Sequence, residues 1–209
     1  MPFVNLQLVT GLCVATLNWK QRLMKSSAPS SARYSFVAIV LHWVLALAIL
    51  SAFVVGVYVE DLPLSPAKLK IINWHKWAGV TILFLSALRL VWRLTHRPPA
   101  LPASIEQAMP GWQRAAYHGT HHLMYALFFI VPLMGWAYSS AKGFPIVWFG
   151  VWPLPDLVSP NPDLAKVLKE LHELSALGLM GLVGLHVAAA LKHRFVDRDG
   201  LLDRMRPGR

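Results

Sequence analysis

LHELSALGLMGLVGLHVAAALKHR, Leu171–Arg194, is an apolar and small-residue run with a histidine near each end. A bilayer core of about 30 Å needs about 20 such residues to cross it as a helix, so this stretch is read as a membrane span. His172 and His186 are 14 residues apart, which on an α-helix is a rise of roughly 21 Å and leaves them about 40° apart on one face. One imidazole therefore lies near each side of the membrane. Ala176, Leu179 and Val183 lie between them on that face, and no carboxylate is there to relay a proton. Neutral imidazole in a dry setting is a good ligand for a borderline metal, and metal chemistry fits these positions better than protonation.

The rest of the chain has the same character. Of its 209 residues 56% are hydrophobic and 14% charged, with a mean hydropathy of +0.47. A soluble domain carries more charge and fewer long apolar runs. Three further spans are read near Phe36–Val59, Asn73–Trp92 and His118–Tyr138, beside His172–Leu191. The expected fold is all-α, an integral membrane four-helix bundle. Residues 34–209 form the one transmembrane domain and 1–33 an N-terminal extension. PFVNLQLVTGLCVATLNW, within that extension, lacks the basic start and small-residue cleavage site of a signal peptide. It is either an interfacial segment or lies ahead of the true start at Met24, and both readings stand. A single cysteine, Cys13, excludes an intrachain disulfide and a thiolate metal cluster.

The formal net charge is +10. Its distribution points to topology and lipid headgroups, with no nucleic acid as a partner. Basic residues crowd the segment before the first span, the loop joining the second and third (Arg93, Arg97, Arg114) and the tail, whereas the other two connections mix signs. The positive-inside rule puts both termini and the second loop in the cytoplasm. The connection from Ser139 to Glu170 contains KGFPIVWFGVWPLP, whose aromatic residues suit the membrane–water interface, and it is expected to fold over the extracytoplasmic end.

His42 lies near the start of the first span and His75 near the start of the second, and these spans run in opposite directions. Depth then dictates the pairing: His42 with His186, His75 with His172. Two imidazole pairs on facing helices point to two b-type haems, each with both axial positions filled and thus built for electron transfer. Fourteen residues beyond His42, His75 and His121 stand Gly56, Arg89 and Gly135. Gly56 and Gly79 are read as room for a porphyrin edge, with ordinary close packing as the alternative. Arg89, an ionisable residue within an apolar span, is expected to meet a propionate of the cytoplasmic-side haem, with snorkelling to the cytoplasmic headgroups as the alternative. Gly178, Gly181 and Gly184 fall away from the histidines and are read as helix-packing glycines. The HGTHH cluster, with His118 and His121, is left between a surface metal site, contact with a quinone or propionate group, and an interfacial role. His96 and His193 read as solvated.

YSFVAIVLHW, INWHKWAG with ALRLVWRL, YHGTHHLMYALFFIVPLMG, PIVWFG, LKELHELSALG and GLHVAAALKHRF, in order from Tyr34 to Pro207, resemble the bacterial cytochrome b561 family. The similarity is to its four-helix, di-haem, superoxide oxidase-like form. That resemblance implies His42, His75, His172 and His186 as axial ligands. It also implies an oxidoreductase of the bacterial inner membrane, passing electrons from an extracytoplasmic donor, superoxide in the superoxide oxidases, to ubiquinone. Lys169 and Lys76, joined by Lys142 and Lys166, could then steer a small anion; the other reading is that they are interfacial anchors. The competing function is a haem-bearing anchor subunit of a hydrogenase or dehydrogenase. A divalent-metal transporter would need midplane carboxylates, which the spans lack.

Overall fold

The computed structural model describes residues 33–208. The N-terminal extension to residue 32, with Cys13 and the choice between Met1 and Met24, lies outside the described residues. Four long helices dominate: α1 (Phe36–Glu60), α2 (Pro66–Thr95), α4 (Gly111–Ala141) and α5 (Pro162–Lys192), with a short α3 (Ala103–Ala108) between the second and third of them. Each of the four is long and apolar enough to cross a membrane. A two-stranded hairpin, β1 (Val147–Trp148) and β2 (Trp152–Pro153), joins α4 to α5.

Three of the four helices are clearly longer than the apolar runs that announced them, and polar caps open two of them, α2 and α5. Ser65 accepts a hydrogen bond from the Lys68 amide ahead of Pro66, and Asn161 accepts from the amides of Asp163 and Leu164 ahead of Pro162. A side-chain acceptor followed by proline satisfies the free amides of a first turn and presets its φ. Just past the end of α4, Gly143 adopts a φ of 73° and its amide turns back to the Ser140 carbonyl.

The packing is inside out relative to a soluble protein. Phe36, Leu47, Val54, Phe84, Leu94, Leu174 and Leu185 point outward, as lipid-facing residues must where no water is present. Inside, α1 packs on α2, α2 on α4 and α4 on α5. A buried cluster of Leu45, Ile49, Ile82, Met124, Phe128 and Leu179 fills the middle. The 14-residue spacing explains its membership. Ile49, Ile82, Phe128 and Leu179 each lie seven residues, about 10.5 Å of helix, from the two functional positions on their own helix. The bundle thus has three levels: His75, His172, Gly56 and Gly135 at one end, this dry layer in the middle, and His42, His121, His186 and Arg89 at the other.

The two ends differ in charge. The end bearing the α1–α2 and α4–α5 connections carries Lys68, Lys70, Lys76, Lys142, Lys166 and Lys169 against Glu60, Asp61, Asp156, Asp163, Glu170 and Glu173, a formal sum of zero. The opposite end is arginine-rich. There the tail leaves α5 through a π-helical turn (His193–Asp197) and folds back over the bundle. Met205 accepts from the Trp43 indole at 2.8 Å, the Arg204 carbonyl accepts from the Tyr34 amide, and the buried Arg204 guanidinium donates to Ala100 at 2.9 Å.

Two expectations are corrected here. Among the described residues, a side chain added at Gly178, Gly181 or Gly184 would meet nothing within 4 Å, so these glycines do not pack the described helices together. His193 is not a solvated tail residue: its Nδ1 lies 2.5 Å from Asp199 and 3.3 Å from Asp197, and its side chain is 19% exposed. His96 is exposed as expected, stacked on Trp92.

Candidate functional site

At the mixed-charge end the rings of His75 and His172 face each other across the bundle, centroids 6.1 Å apart and nearly perpendicular. Each ring rests where a helix has no side chain. A Cβ on Gly56 would lie 3.0 Å from Cε1 of His75, and one on Gly135 would lie 3.0 Å from Cε1 of His172. Gly56 therefore makes room for an imidazole, and Gly135 does the same for the other. Gly79, one turn from His75, has nothing within 4 Å. The His172 ring is held by its Nδ1, which lies 3.0 Å from the Val131 carbonyl. Pro132 opens the adjoining turn of α4 by lacking an amide hydrogen. A donating Nδ1 leaves Nε2 as the free lone pair, the arrangement that orients metal-bound histidines.

The basic end repeats the pairing with different surroundings. His42 and His186 stand 6.2 Å apart, and His121 approaches His186 from the side at 5.5 Å. His121 is fixed by its own helix, Nδ1 to the Tyr117 carbonyl at 2.6 Å. Its neighbours His118 and His122 point outward and are exposed, so HGTHH does not gather into one metal site. Arg89 reaches the same level. Its Nε donates to the Tyr125 hydroxyl at 3.2 Å, Nη1 lies 3.4 Å from the Ala38 carbonyl, and Arg93 joins it over the Tyr125 ring.

The residues fit a b-type haem held between two imidazoles. Two imidazoles bound to one first-row metal at about 2 Å each put their ring centroids roughly 6 Å apart, which both pairs match. Among the described residues, two buried side-chain polar atoms have no hydrogen-bond partner, Nδ1 of His75 and the hydroxyl of the fully buried Ser86, three residues from Arg89. An unpaired buried group costs about 1–3 kcal/mol, and both flank the levels where a cofactor would stand.

The lysines fare differently. Lys76 donates to the Phe144 carbonyl at 3.2 Å. Lys169 is held by two carboxylates, Glu60 at 2.6 Å and Glu173 at 3.3 Å, and Lys166 pairs with Asp163. The long connection lies against α2, with the Trp77 indole donating to Val147 and the Trp148 indole to Thr81. Sequence reasoning missed Glu60, Glu173 and Tyr125. Spacing could have found them: Glu60 is one turn beyond Gly56, Glu173 adjoins His172, and Tyr125 is one turn from His121.

The family model for prokaryotic cytochrome b561 matches residues 33–208. Among curated proteins, the chain is 29% identical over 175 residues to cytochrome b561 homolog 2 of Escherichia coli, covering 83% of this chain and 90% of that one. It is 30% identical to cytochrome b561 homolog 1 of the same organism, covering 85% and 98%. A probable superoxide oxidase CybB of Yersinia pestis is 30% identical over 84% of this chain and 96% of its own.

Proposed function

Since the chain belongs to the prokaryotic cytochrome b561 family, a multi-pass bacterial membrane protein of electron transfer, we propose that it carries two b-type haems and moves electrons across the bundle to ubiquinone. The observation that carries this reading is the pair of facing imidazole couples, at 6.1 and 6.2 Å, on either side of a dry layer. Each bound haem supplies an iron that accepts and releases one electron.

The chain's residues do the holding. His75 and His172 grip one group, with Gly56 and Gly135 seating their rings and the Val131 carbonyl aligning His172. His42 and His186 would grip the other, with Arg89 at the same level to offer its positive charge to a propionate. Ile49, Ile82, Phe128 and Leu179 keep water from the space between. His118 and His121 stand at the basic end, where a quinone headgroup would meet imidazole donors. In this reading the basic end and both termini are cytoplasmic, in the inner membrane. The donor is superoxide at the mixed-charge end, in keeping with the name of the Yersinia relative. Two superoxide ions yield two dioxygen molecules and two electrons, and those electrons with two protons convert ubiquinone to ubiquinol.

Haem stoichiometry by pyridine haemochrome, followed by superoxide pulses with ubiquinone present, tests this. Two haems and superoxide-dependent quinol formation are expected. Two haems without quinol formation would reduce the protein to a carrier subunit, and fewer than two would defeat the pairing.

A further inference from the structure

The electron-accepting end in this reading has a feature at odds with a simple anion trap. Lys169 lies three residues ahead of His172 on α5, where its ammonium would attract a small anion. It is instead bound to Glu60, the last residue of α1, at 2.6 Å, and to Glu173 at 3.3 Å. The three side chains are 38%, 60% and 50% exposed, so solvent reaches them and their charges act on anything approaching. Glu60 also joins α1 to α5, and it stands one turn outward of the glycine against which His75 rests. Lys68 is tied back to the Glu60 and Leu62 carbonyls. Two carboxylates and two ammonium groups thus balance at this point.

We infer that Glu60 is a specificity-determining residue: by clamping Lys169 it holds the approach to the His75–His172 level electrically neutral, so that small reductants are admitted with little regard to their charge. Removing this one carboxylate would turn the same approach into an anion-attracting one. The inference rests on the reading that electrons arrive at this end, but it concerns the local field and can fail separately.

The magnitude follows from Coulomb attraction. One unit charge at about 10 Å in water changes the local concentration of a monovalent ion about twofold, and of a divalent ion about fourfold. Low salt keeps the effect visible, since the screening length at about 0.01 M is about 30 Å.

Two measurements on the full chain test it. In the haem-loaded protein, rate constants for reduction are compared between the sulfur dioxide radical anion and hexaammineruthenium(II), a dication. Glu60→Gln should raise the anion rate about twofold and lower the dication rate about fourfold, and both shifts should fade as salt is added. Lys169→Gln should do the reverse. Independently of any haem, a fluorophore at Leu64→Cys in a Cys13→Ser background reports iodide against caesium quenching. Glu60→Gln should raise that ratio about fourfold at low salt. If Glu60→Gln fails to fold, Glu173→Gln must give the same signs. Rates and quenching ratio unmoved in the folded variants would overturn the inference. Charge-dependent shifts without any superoxide oxidation would uphold it and discard superoxide as the donor.

Discussion

The two histidine levels are built on one repeat and surrounded by opposite means. At the mixed-charge end the two positions facing His75 and His172 are glycines, and the rings sit within 3.0 Å of where a Cβ would be. At the basic end the equivalent positions on α2 and α4 hold Arg89 and His121, within a network that includes Tyr125 and Arg93. One level is made by removing atoms and is governed by shape. The other is made by adding charge and donors and is governed by electrostatics. An electron should therefore be held differently at the two levels, and substitutions should separate them.

In the proposed di-haem reading, loss of a haem-holding imidazole should have the largest effect. His172→Ala should cut the haem content from two per chain to one and leave the basic-end spectrum in place, while His42→Ala should spare the other level. Pyridine haemochrome and low-temperature spectra of the α-band check both, and loss of both haems from either variant would show that the levels are not independent.

Gly135→Ala comes next. Its Cβ would lie 3.0 Å from a ring that the Val131 carbonyl holds by Nδ1, an overpacking that typically costs about 1–3 kcal/mol. The mixed-charge-end haem should become substoichiometric or change its electron paramagnetic resonance g-values, with the basic-end signal unaltered. Gly79→Ala meets no protein atom within 4 Å, so a change in the mixed-charge-end signal from it alone would point to a porphyrin edge at that glycine.

Arg89→Gln probes the electrostatic level. A positive charge favours the reduced centre, so its removal should lower the basic-end potential, on the order of 100 mV for a charge at about 7 Å with an effective dielectric of about 20. Redox titration reads this directly, and an equal shift at both levels would contradict a local origin.

The smallest effect is expected at Gly181. It faces open space, so Gly181→Ala should keep both spectra and raise the thermal midpoint slightly, because alanine favours a helix over glycine by up to about 1 kcal/mol. A fall in stability would restore the packing role that the structure withdrew.

Much of the architecture could be read beforehand because lipid imposes simple demands. A chain crossing hydrocarbon must satisfy its own backbone, so long apolar runs could only be helices, and an imidazole among them needed a partner at its own depth. That reasoning paired His42 with His186 and His75 with His172, whose rings the structure brings to 6.2 and 6.1 Å, but gave Gly56 to a porphyrin edge where an imidazole rests. It misjudged the glycines at 178, 181 and 184, because helical periodicity gives a face but not the neighbour that occupies it. It left Lys169 between anion steering and interfacial anchoring and did not see its clamp, because Glu60 comes from a helix 109 residues away in sequence.

From sequence alone came the four spans, the two depths and the imidazoles at each, since helix rise converts residue number into distance without knowledge of the fold. Tertiary structure alone decided which side chains meet at those depths. It put a ring against Gly135, took Lys169 to Glu60 and turned His121 inward while leaving His118 outside. Those choices depend on how helices rotate and lean on one another, and rotation is set by packing, which no single helix encodes.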